Sequence, residues 1–74
     1  MQLGTRWASG DEPPRAVPDV LRAAIADVDR AVEPGSRAHW TLTWLEGRPI
    51  AELDTGWEVL VDHAGDVVSR AWED

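Results

Sequence analysis

The residues with chemical potential in this chain are few, and they gather in its second half. Asp62, His63 and Asp66 fall within one short segment. A histidine beside two carboxylates can serve as a base or hold a metal. A catalytic metal, however, needs about three protein ligands on rigid elements, and these three share one turn. The Asp62-x-x-Gly65-Asp66 spacing also departs from that of a calcium loop. The expected reading is a turn-forming aspartate with a surface histidine. Glu52, Asp54 and Glu58 are brought close if their segments form neighbouring strands. Paired carboxylates drive glycoside hydrolysis, but that chemistry needs a cleft. Ser9, Ser36 and Ser69 sit in no nucleophile turn, the glycines are scattered singly, and His39 lies among threonines. No enzyme, metal or cofactor is expected.

Composition narrows the classes further. The 74 residues carry seven arginines, no lysine and fourteen Asp and Glu, for a net charge of −7. Nucleic-acid binding draws on a positive stripe that neutralises phosphates, so direct contact with nucleic acid is not expected. An acidic surface favours solubility or a basic partner. No segment approaches the roughly 20 apolar residues of a membrane helix. The opening MQLGTRWASG lacks the apolar core of a signal peptide, so the expected location is the cytoplasm. Cysteine is absent, so side-chain packing alone, or a second copy, must supply the core. A domain of this size buries roughly 60% of its unfolded surface. Five tryptophans, with no Phe or Tyr, are the largest blocks available for that core. Trp40, Trp44 and Trp57 are expected inside. Trp7 and Trp72, near the ends, are candidates for stacking on a small ligand.

The elements that must position these residues read as one α+β domain over 1–74. Residues 1–16 form a short strand, with Leu3, Thr5 and Trp7 on one face, and a proline-rich loop. Val17, Val20, Leu21, Ala24, Ile25, Val28, Ala31 and Val32 recur at steps of three and four and predict a helix over 17–33. Pro34-Gly35 stops it. From 38 to 72 the pattern alternates with period two. Trp40, Leu42, Trp44, Ala51, Leu53, Trp57, Val59 and Val61 then share one face.

Turn chemistry sets the pairing. A Gly47-Arg48 turn places Trp44 opposite Ala51 and Leu42 opposite Leu53. Asp54-Thr55-Gly56 has the form of a three-residue hairpin loop, with Leu53 opposite Trp57. In the last strand, either Val67, Ser69 and Ala71 or Val68 and Trp72 point inward; the first choice adds Val68 and Arg70 to the outer face. The expected fold is one helix on one face of a four- to five-stranded antiparallel sheet, in the order (β)-α-β-β-β-β.

One helix leaves the other face open. That face carries Leu45, Ile50, Glu52, Asp54, Glu58, Leu60 and Asp62, aliphatics mixed with carboxylates, and is the candidate binding surface. Its expected occupant is a protein partner or a second copy. The alternatives are a small ligand stacked on Trp7 or Trp72, and mimicry of nucleic acid by Glu52, Asp54, Glu58 and Asp62.

Glu46-Gly47-Arg48-Pro49, the run Trp57-Glu58-Val59-Leu60-Val61-Asp62 and the following Gly65-Asp66-Val67-Val68 resemble a PepSY-type domain over residues 17–72. The resemblance implies a helix followed by an antiparallel sheet, and a non-catalytic domain that regulates or inhibits partners, commonly outside the cytoplasm. The chain departs from that pattern in a shorter last turn and in lacking a signal sequence. The element order is also similar to that of the cystatin fold, but the Gln-x-Val-x-Gly hairpin and the Pro-Trp pair that bind proteases there are missing.

Overall fold

The helix is shorter than the apolar stripe that announces it. In the computed structural model, which describes residues 4–32 and 37–71, α1 spans Asp19–Ala31. Val17 precedes Pro18, and the proline ring disfavours helical backbone at the residue before it. Pro18 itself is extended, with ψ 143°. Val17 is nonetheless fully packed, held in a turn by its N–H to the Pro14 carbonyl. At the other end Val32 is already extended. Pro34 and Gly35, the expected stop signal, lie outside the described residues, as does Leu3.

Five strands form one antiparallel sheet: β1 Thr5–Ala8, β2 His39–Leu45, β3 Arg48–Leu53, β4 Trp57–Val61 and β5 Val67–Ala71. Their spatial order is the chain order, so the fold is a meander with α1 inserted between its first two strands. The helix packs over β4 and β5. Leu21, Ile25 and Val28 project from it onto Trp40, Leu42, Ala51, Leu53 and Val59, all buried.

The second hairpin has the expected register, with Leu53 opposite Trp57 and Ala51 opposite Val59. Gly56, at φ 110°, closes its three-residue loop. The first hairpin differs by two residues. Leu42 pairs with Ala51, Trp40 with Leu53 and Trp44 with Pro49. The turn is Glu46-Gly47, not Gly47-Arg48. Both of its residues adopt positive φ, 52° and 78°, the geometry whose twist matches a two-residue hairpin. A shift of two preserves the alternation, so every side chain keeps its predicted face. The last strand is also resolved. Val67, Ser69 and Ala71 oppose Val61, Val59 and Trp57 on the helix side, and Val68 and Arg70 point outward.

Two tryptophans depart from expectation. Trp44 points to the helix side but is 51% exposed. It sits next to the turn, beyond the rows that the helix stripe covers. Trp7 is buried, pairs with Trp40 across β1 and β2, and stacks on it with ring centroids 6.2 Å apart. It belongs to the core and presents no free plate. Trp72 lies outside the described residues.

A polar tie crosses this core. Asp29, on the helix, accepts through Oδ1 from Trp40 Nε1 at 2.9 Å and from the Ser9 hydroxyl at 2.5 Å. One carboxylate thereby joins α1, β2 and the segment after β1. Arg22 adds a second tie, donating to the Pro13 and Pro14 carbonyls at 3.2 and 2.8 Å. Replacing Asp29 with Ala strands the N–H of a fully buried indole. The expected loss is about 1–3 kcal/mol, or roughly 4–8 °C of melting temperature per kcal/mol in a domain this small. Asp27→Ala, whose exposed carboxylate pairs with Arg30 alone among the described residues, should change stability by about 0.5 kcal/mol or less. Thermal unfolding of the two variants side by side checks the contrast.

Candidate functional site

The side of the sheet away from α1 is built in rows, because each strand sends every second side chain outward. One row runs Arg6, Thr41, Glu52, Glu58, Arg70 across all five strands. The next runs Thr43, Ile50, Leu60, Val68. Beyond it, Leu45 and Arg48 pair across the first hairpin. Continuing the registers brings Asp62 beside Arg48 and Asp66 beside Asp62.

The first row sets two carboxylates side by side between arginines on the outer strands. Glu52 and Glu58 stand directly opposite each other, an unfavourable cross-strand pair. Arg70 Nε reaches Glu58 Oε2 at 2.6 Å, with the Glu58 side chain only 16% exposed. Glu52 is half-buried and has no ion-pair partner among the described residues. Asp54 lies apart, at the edge of the face. Its Oδ2 accepts the His39 N–H at 3.1 Å, with Arg6 at 3.6 Å.

At the other edge a shallow concavity of about 420 Å³ opens over Leu45, Ile50, Leu60 and Val61, rimmed by Arg48, Glu58, Asp62, His63 and Arg70. Arg48 Nη1 donates to His63 Nδ1 at 2.8 Å, and Nη2 lies 3.4 Å from Glu46. Asp62 is occupied structurally. Its Oδ1 accepts the N–H groups of Ala64 and Asp66 at 2.9 and 3.0 Å, which shapes the β4–β5 turn. Asp62, His63 and Asp66 do not converge, and no set of three or more metal-ligating side chains gathers among the described residues.

Of the predicted surface residues, Leu45, Ile50, Glu58, Leu60 and Asp62 therefore meet around the concavity. Glu52 stands in the row beside it, and Asp54 does not join it. Arg48 and His63 were not foreseen as part of the surface, and Arg70 was expected there only on the choice that turns Val67, Ser69 and Ala71 inward, which is the one observed. Arg48 was taken as part of the turn, and its outward parity shows only once the turn is placed at Glu46-Gly47 and Arg48 opens β3. Among the described residues no helix is long and apolar enough to cross a membrane.

Searches against protein-family models, curated proteins and solved structures found no match for this chain.

The ion pair in the first row makes a measurable claim. Arg70→Ala leaves two facing carboxylates without their cation and should cost roughly 0.2–1 kcal/mol at low salt. The loss should shrink in high salt, and in a Glu52→Gln background. Urea denaturation of the single and double variants measures both.

Proposed function

We propose that this chain is a non-catalytic protein-binding module that docks through the face of the sheet opposite the helix. The observation that carries the reading is the aliphatic row of Ile50, Leu60 and Val68 in the middle of that face, continued by the 59% exposed Leu45. Carboxylates and guanidinium groups rim it on both sides. Apolar groups ringed by charge are the pattern of a docking surface, where the centre loses water and the rim sets orientation. A regulatory or inhibitory role is what the resemblance to PepSY-type domains adds.

The alternatives fare less well. Trp7 is spoken for by Trp40, which removes one of the two stacking plates a small-ligand site would use. Mimicry of nucleic acid needs an uninterrupted line of carboxylates. Here Arg70 answers Glu58, Arg6 approaches Asp54, and Asp62 is turned onto backbone amides.

Ile50→Arg and Leu60→Arg place a charge in the centre of the face without touching the core beneath the helix. Both variants should keep the circular-dichroism spectrum of the parent and unfold within a few degrees of it. Both should lose at least tenfold in affinity for proteins that the parent captures from its host. Capture undiminished in both folded variants would contradict the proposal.

A further inference from the structure

Along the strands of the outer face, the charges change sign on either side of the aliphatic row. On β3 the order is Arg48, Ile50, Glu52. On β5 it is Asp66, Val68, Arg70, the reverse sense in space, since Asp66 lies at the Arg48 end and Arg70 at the Glu52 end. On β2 the order is Leu45, Thr43, Thr41, uncharged throughout. On β4, Glu58 and Asp62 flank Leu60, but Glu58 is engaged by Arg70 and Asp62 by turn amides.

We infer that this face is self-complementary and pairs with a second copy of the chain about a two-fold axis along the aliphatic row. The inference rests on the docking reading above and names its partner. Such an axis lays each strand on its own equivalent, running the opposite way. Ile50, Leu60 and Val68 then meet themselves. Each Glu52 faces Arg48 of the other copy, and each Arg70 faces Asp66 of the other copy, so an isologous contact makes each of these ion pairs twice. It also sets each Glu58 against Asp62 of the other copy, a like-charged contact softened by the Arg70 beside Glu58 and the turn amides on Asp62. The half-buried Glu52, which has no ion-pair partner among the described residues, gains one. Packed sheets cross at about 30°, a rotation these long side chains follow. A two-fold at right angles to it does less well. An axis running along the strands would set Arg6 against Arg70 and Glu52 against itself.

Size and charge define the strength. Five strands about 4.8 Å apart and five residues about 3.3 Å apart cover roughly 400 Å² in projection. Doubling this gives about 800 Å², below the roughly 1,200 Å² at which stable specific interfaces begin and in the range of weak, transient contacts. The dimer should therefore be weak, with a dissociation constant on the order of tens of micromolar or above. The net charge of −7 on each copy opposes association, so the pairing is best measured near 0.15 M salt, where the Debye length is about 8 Å.

Charge exchange tests the geometry. Sedimentation equilibrium, at protein concentrations up to the millimolar range, should show the parent dimerising. Arg48→Glu and Glu52→Arg should each be monomers, because each sets like charges face to face. Mixing these two variants one to one should restore a dimer, since positions 48 and 52 then face each other with opposite signs throughout and the other contacts are those of the parent. The double variant carrying both exchanges should dimerise by itself. Circular dichroism on each chain confirms folding, and the mixing experiment guards against an unfolded variant mimicking a broken interface. A parent that stays monomeric at millimolar concentration, or singles that dimerise like the parent, would overturn the inference. So would a mixture that remains monomeric. In any of these outcomes the docking proposal stands or falls separately, on whether Ile50→Arg and Leu60→Arg lose captured proteins.

Discussion

A single thirteen-residue helix must cover a sheet of five strands. At 1.5 Å per residue it is roughly 20 Å long, enough to seal most of one face and nothing of the other. Leu21, Ile25 and Val28 bury what they can reach, from Trp40 and Leu53 to Val59. The apolar surface left over is a direct product of that shortage. Trp44 protrudes past the covered rows, and Ile50, Leu60 and Val68 line the opposite side. The functional reading follows from this arithmetic of layers more than from any individual residue.

The core is apolar throughout, and one polar tie closes its margin. Trp40 has an indole N–H that must be satisfied once the helix closes over it, and Asp29 supplies the acceptor. The same oxygen takes the Ser9 hydroxyl, so helix, second strand and first turn are locked by one group. Packing of Trp7 on Trp40 completes the seal. The geometry explains how a chain without disulfides can hold its first strand against the rest.

Much of this was legible in the sequence, and the boundary of legibility is physical. Period-two alternation dictates the face of each strand residue whatever the register. This is why the outer face was read correctly although the first hairpin slipped by two. The slip came from Glu46, a residue not expected at positive φ, which Gly47 alone seemed to supply. Alternation says where a side chain points, not whether another element reaches it, and so Trp44 was misread as core. Asp29 reads as solvent-facing in the helical pattern, since nothing in one dimension shows Trp40 arriving above it. The partners of Arg48 and Arg70 hid for a similar reason. The place of the arginines among the carboxylates depends on which strands neighbour one another, and that is a property of the folded sheet.

The central claim is that α1 covers one side of the sheet and leaves the other to solvent. With no native cysteine, thiol labelling reads this directly at two adjacent residues. Val59, which is fully buried, and Leu60, which is half-exposed, point to opposite faces of β4. At low micromolar concentration, Leu60→Cys should react with a maleimide within about tenfold of the rate in the denatured chain. Val59→Cys should be slowed by a factor of about a thousand or more, since its thiol is reached only by opening worth roughly 5 kcal/mol or above. Equal protection at the two positions, or a faster reaction at 59 than at 60, would contradict the account.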